Sequence, residues 1–187
     1  MRKRIVTWMI NSGSIDEDER EIYEYGLQSL KLLIMPFFYV VFVGWVLQEW
    51  VITMEYVFLF AILRKFSGGY HAKTEWQCVL FSLGTIFGGI YLVNTWEIGF
   101  RLNIYYILSI LILLKYSPVD SENRKLDQEE RKKSHSIIVL MQVLLLITYF
   151  LLWKYGNEKV MKVIAVANIC VAIFQLISIG TNMVNGE

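Results

Sequence analysis

The chain of 187 residues is 56% hydrophobic and only 19% charged, with a mean hydropathy of +0.46, whereas soluble domains run nearer a quarter charged. That balance points to a membrane protein, and a formal net charge of +1 leaves no electrostatic footprint for nucleic acid. Two cysteines are too few for a disulfide scaffold.

At the N-terminus, basic Arg2-Lys3-Arg4 is followed by the apolar run Ile5–Ile10. This is shorter than the apolar core of about 7–15 residues in a secretory signal, and Thr7 interrupts it. The segment is expected to be retained. Ile5, Trp8 and Met9 share one helical face beside basic residues, which predicts an amphipathic helix along the inner leaflet, with a frayed terminus as the plainer reading. Ser14-Ile-Asp-Glu17 has the form of a capping box, with Asp16–Glu19 in the first turn where the helix dipole favours negative charge. A helix is predicted to start there and run into the first membrane span. Residues 1–29 thus read as a cytoplasmic N-terminal segment and 30–187 as one membrane domain.

Crossing about 30 Å of hydrocarbon takes roughly 20 mainly apolar residues. Leu32–Gln48, Trp76–Trp96, Ser136–Trp153 and Val163–Val184 meet that need and lack Lys, Arg, Asp and Glu. Trp50–Leu63 is shorter and carries Glu55, and Ile98–Tyr116 contains Arg101 and Lys115. Together they predict an all-α protein with six transmembrane helices, the second having a re-entrant segment as its rival. With both termini cytoplasmic, the inner segments hold fourteen Lys and Arg and the outer loops four, as the positive-inside rule requires. Trp45, Trp50, Trp96 and Trp153 then fall at outer ends, Trp8 and Trp76 at the inner side, and none at mid-bilayer.

The loop between spans 2 and 3 reads Arg64-Lys-Phe-Ser-Gly-Gly-Tyr-His-Ala-Lys-Thr-Glu-Trp-Gln-Cys78. His71 and Cys78 are seven residues apart, which on one straight helix means a rise of about 10 Å and no hydrogen bond. Thr74-Glu-Trp-Gln77, however, is a second capping-box pattern. It predicts that span 3 starts at Thr74, with Cys78 in its first turn, where free N–H groups and the dipole stabilise a thiolate. Gly68-Gly69 supplies a sharp turn. His71, ahead of the cap, can then fold back towards the sulfur. This yields a candidate pair, with Cys78 as nucleophile and His71 as general base, and N–H groups near Gly68, Gly69 and Cys78 as oxyanion donors. Arg64 is placed to hold a substrate carbonyl or carboxylate, or to anchor span 2 to phosphate headgroups. Each residue also has a plain reading: a lone Cys as a small hydrophobe, a loop His as a solvated side chain, Gly-Gly as a turn.

The pattern Arg64-x4-Gly69-x-His71-x6-Cys78, on a six-span layout of this length, resembles the AgrB family, membrane endopeptidases of Gram-positive quorum sensing that process the AgrD propeptide. Ser117-Pro118-Val119-Asp120 and Asn123-Arg-Lys125 resemble that family's continuation after span 4. The resemblance implies that His71 and Cys78 are the catalytic pair and that Arg64 and Gly69 are required positions. It implies an AgrD-like propeptide substrate cleaved at its C-terminal tail through an acyl-enzyme, followed by closure of a thiolactone or lactone. It further implies a multi-pass bacterial cell membrane protein, with the catalytic loop 64–78 at the cytoplasmic face. No cofactor or metal is expected. A non-enzymatic transporter or exporter component, with Asn168, Gln175 and Glu55 lining a pathway, is the alternative.

Other marked residues have weaker readings. The basic loop Pro118–Ser134 reads first as a solvated positive-inside anchor and second as a dock for an acidic propeptide tail. His135 is placed to approach His71 and Cys78, but zinc would need further ligands. Cys170 reads as packing. Asn168 and Gln175 share a face, suiting helix glue or a peptide groove. Gly84, Gly88 and Gly89 predict a close helix contact or the seam of a homodimer.

Overall fold

A computed structural model describes residues 2–68, 75–119 and 127–185. The described residues are helical apart from turns and one isolated β-bridge. They divide into two units, Met1–Phe42 and Val43–Glu187.

In the first unit, α1 spans Arg2–Asn11, as the amphipathic reading predicted. Val6 is buried, while Ile5 and Trp8 face outwards beside exposed Arg4. The helix closes in a Schellman motif: Ser14 N–H bonds Met9 O at 3.0 Å, Gly13 N–H bonds Ile10 O at 2.9 Å, and Gly13 takes φ +69°. That ending corrects the predicted capping box. Ser14 already belongs to the C-terminal motif of α1, and its Oγ lies 2.9 Å from Ser12 Oγ. The next helix starts three residues later, with Asp16 preceding a 3-10 turn at Glu17–Glu19 and making no side-chain cap. The expected acidic first turn is present there, and Glu17 pairs with Arg20 at 2.8 Å. From Arg20, α2 continues as one helix to Leu47, with Pro36 inside it.

In the second unit, α3 (Trp50–Ser67), α4 (Glu75–Thr95), α5 (Phe100–Tyr116), α6 (Gln128–Tyr155) and α7 (Glu158–Asn185) follow. Each apolar run of the sequence lies in a helix whose nearer boundary agrees to within two residues. The second run is one continuous helix. Among the described residues, three helices are long and apolar enough to cross a membrane, at Trp76–Thr95, Gln128–Tyr155 and Glu158–Thr181, and a shorter apolar stretch occupies Ile34–Leu47.

The spine of this unit is α7, which packs against α3, α4, α5 and α6. Val163 to Asn168 are buried at six successive positions, so this helix is covered all round. Its Ala165, Ala167 and Ala172 let neighbouring backbones approach. By contrast, α6 buries only Ile138 and Gln142 and turns Leu140, Leu144, Ile147, Phe150 and Leu151 outwards, as a lipid-facing helix does.

Polar contacts set the register between these helices. The amides of Gln142 and Asn168 bond each other reciprocally at 3.0 and 2.8 Å, both fully buried. Asn168 is helix glue, the first of its two predicted roles. Tyr149 Oη donates to Asn103 Oδ1 at 2.7 Å, joining α6 to α5. Between α3 and α4, Tyr56 lies against Gly89, where a Cβ would sit 2.3 Å from the ring. Its hydroxyl reaches Thr85 O at 3.3 Å. The close contact foreseen for the span-3 glycines is thus at Gly89, while Gly84 and Gly88 face open space. At the other end, Lys159 meets Glu49 at 3.4 Å as a half-exposed pair, a type of contact that contributes at most about 1 kcal/mol.

The amide pair generates a stability test. Gln142→Leu leaves Asn168 buried without its partner and should destabilise the protein by about 1–3 kcal/mol in thermal unfolding from detergent micelles. The double variant Gln142→Leu, Asn168→Leu should recover much of that loss. Additive losses would contradict a mutual pair.

Candidate active site

The last turn of α3 carries Arg64, and its guanidinium stays within the protein. Nη1 donates to Gly68 O at 2.5 Å, and the planar group lies over the Phe174 ring, 5.4 Å from its centroid. Burial pushes its pKa down to about 10, and the nearby Cys78 sulfur acts in the opposite direction. The group is a cation at neutral pH, within electrostatic reach of the thiol. Capping its own helix end is a role that neither predicted reading, substrate holder or lipid anchor, had included.

Gly68 ends α3 at φ +70° and ψ −157°, a region open almost solely to glycine. The reason is its neighbour. Gly68 forms a parallel bridge with Val119, and a Cβ on Gly68 would lie 2.1 Å from Val119 O. The backbone bond of this junction runs from Val119 N–H to Ser67 O at 3.0 Å. Val119 follows the cis Ser117–Pro118 peptide at the end of α5, so the junction ties together the roots of two loops.

Two more helices brace it. From α7, buried Gln175 donates through Nε2 to Ser67 O at 3.3 Å and to Ser117 Oγ at 3.0 Å. From α6, His135 Nδ1 lies 2.8 Å from Ser117 O. A carbonyl only accepts, so Nδ1 carries the proton and the lone pair of the neutral ring is on Nε2. Gln175 touches the α3 and α5 loop roots near one end of α7, and Lys159 touches the α2–α3 turn at the other. The C-terminal ends of α3 and α5 hence lie at the same end of the helix bundle.

Cys78 is the fourth residue of α4, and its thiol is free and exposed. Cys170 is half-buried in α7 against Tyr56, as a packing residue. Gly69, His71 and Thr74 lie outside the described residues, as do Asp120, Asn123, Arg124 and Lys125. Among the predicted site residues, the structure thus brings Arg64 and Gly68 into contact, with Cys78 acting on the Arg64 charge. It adds Ser67, Ser117, His135 and Gln175 to the same face. Gln175 stood out in the sequence only as a polar residue in a span, and the cue that links it to the loops is its depth, about 10 Å along α7 from Asn168. Among the described residues, no group of three or more His, Cys, Asp or Glu side chains could hold a metal ion.

The sequence profile of accessory gene regulator B, AgrB, matches residues 2–179. The chain belongs to the AgrB family. It is 26% identical over 153 residues to AgrB-like protein 2 of Clostridium perfringens strain 13 / Type A, covering 72% of this chain and 71% of that protein. It is 24% identical over 168 residues to an AgrB-like protein of Clostridium perfringens strain SM101 / Type A, covering 80% and 78%. No solved structure matches. Family membership and the three membrane-capable helices make this a membrane protein associated with agr quorum-sensing peptide processing.

Gly68 offers a direct check of the junction. Gly68→Ala combines a forbidden backbone region with overlap on Val119 O, and should lower stability by about 1–3 kcal/mol. Gly88→Ala, in open helix, should be neutral or stabilising. Comparison of the two variants' melting curves in micelles tests this, and equal curves would contradict the bridge.

Proposed function

We propose that this AgrB-family protein is a cysteine endopeptidase with six membrane spans and both termini in the cytoplasm, which matures an AgrD-like propeptide at the inner face. The observation that carries the proposal is an exposed thiol at the fourth residue of α4 whose charge acts on the half-buried Arg64 cation. The excess of Lys and Arg in the predicted inner segments supports the orientation.

The chemistry runs as two acyl transfers. His71 takes the proton of Cys78, and the sulfur attacks a backbone carbonyl near the C-terminal end of the propeptide. The tetrahedral intermediate collapses as the imidazolium protonates the departing amine, which releases the tail and leaves a thioester on Cys78. A Cys thiol or Ser hydroxyl of the propeptide then attacks that thioester. Its proton passes through His71 to the departing Cys78 sulfur, closing a thiolactone or lactone. Thioester exchange is nearly isoenergetic, so holding the internal nucleophile close favours ring closure over water.

In the rival transporter reading, Asn168, Gln175 and Glu55 line a pathway, and two of these bear on it directly: Asn168 and Gln175. Both are instead buried and hydrogen-bonded to protein groups, which favours glue and bracing.

Reconstituted protein incubated with a candidate propeptide should release a tail and carry a thioester on Cys78, both visible by mass spectrometry. Cys78→Ala should abolish cleavage, and His71→Ala should slow it by about 10²–10⁴-fold, with both variants still in the membrane. Normal turnover by Cys78→Ala would overturn the peptidase reading.

A further inference from the structure

The Ser67 carbonyl at the end of α3 receives two hydrogen bonds, from Val119 N–H at 3.0 Å and from Gln175 Nε2 at 3.3 Å. The Ser67–Gly68 peptide is trans and planar, so holding its C=O inwards points the Gly68 N–H the opposite way. That N–H makes no hydrogen bond among the described residues. It sits one turn from Arg64, whose charge is within reach of Cys78. A fixed backbone donor with no partner among the described residues is the kind of group an oxyanion site uses.

The orientation of Gln175 fits this task. Ser67 O can only accept, so the amide must present nitrogen to it. The consequence is that Oε1 is buried with no partner among the described residues. An apolar side chain of the same shape would fill this space without an orphaned acceptor. What such a side chain lacks is the N–H donor.

We propose that Gln175 is a positioning residue: by holding the Ser67 carbonyl, it aims the Gly68 N–H at the oxyanion that forms on the scissile carbonyl. This rests on the reading of Cys78 as nucleophile. Gln175 itself does not touch substrate; Gly68 does.

Two reactions of the same sulfur test it. Attack on the propeptide carbonyl builds an oxyanion, whereas alkylation by iodoacetamide is a displacement at carbon that builds none. In the full-length protein in lipid vesicles, Gln175→Met should lower kcat for tail release by about tenfold or more, with KM and the alkylation rate of Cys78 unchanged. Unchanged release would overturn the proposal, and so would alkylation slowed in the same proportion, which marks a general disturbance of the site. Should Gln175→Met fail to reach the membrane, Gln175→Glu decides. Its carboxyl donates to Ser67 O only when protonated, so its release rate relative to wild type at the same pH should rise as pH falls, and a flat ratio would overturn the proposal. Failure of the underlying reading is separate, seen as tail release by Cys78→Ala.

Discussion

The hydrogen bond from Val119 N–H to the Ser67 carbonyl is the contact on which the arrangement of this site depends. It joins the end of α3 to the segment after α5, two pieces of chain about fifty residues apart, in a region where helices have already stopped satisfying their own backbone groups. Helix ends in a low-dielectric setting must find partners for free carbonyls. Here the partners come from the other loop root, from Arg64 and from Gln175. The close pairing admits no side chain at residue 68, and the glycine there is explained by that geometry alone.

Around this junction, the second unit is organised by few polar contacts. Lipid is as apolar as the helix faces, so burial of leucine against leucine does little to select one helix packing over another. Interhelical hydrogen bonds in membranes are individually modest, roughly 0.6–2 kcal/mol. They nonetheless discriminate register, because a shifted helix would strand Gln142, Asn168 or Tyr149 in hydrocarbon. The Tyr56–Gly89 contact acts in the same way on α3 and α4. Arg64 lies about 12 Å beyond Tyr56 along α3, and Cys78 about 16 Å before Gly89 along α4. In antiparallel neighbours those offsets bring the cation and the thiol to a similar height.

Much of the helical architecture was legible because long apolar runs in a membrane have one stable form, the helix, although α2 and α6 begin well before their runs, at Arg20 and Gln128. The place of Cys78 near the start of α4 agrees with Thr74-x-x-Gln77 read as a helix start, although Thr74 itself lies outside the described residues. The same kind of signature misled at Ser14, which also serves as the closing residue of α1; a local pattern does not reveal which of two adjacent helix ends uses it. Gln175, Ser117 and His135 were not legible as one group. Their bonds join residues 58, 108 and 18 positions apart, and hydropathy records only that each is polar. Arg64 was marked as functional, but its bond to Gly68 depends on a backbone turn that no spacing rule specifies.

The most direct measurement is hydrogen–deuterium exchange at single-residue resolution on the protein in lipid nanodiscs, read at the Val119 amide. The bond to Ser67 predicts that this amide exchanges far more slowly than a free loop amide, although it stands outside every helix. Exchange at the rate of an unstructured chain would contradict the junction and, with it, the bracing of Gly68 beside Arg64.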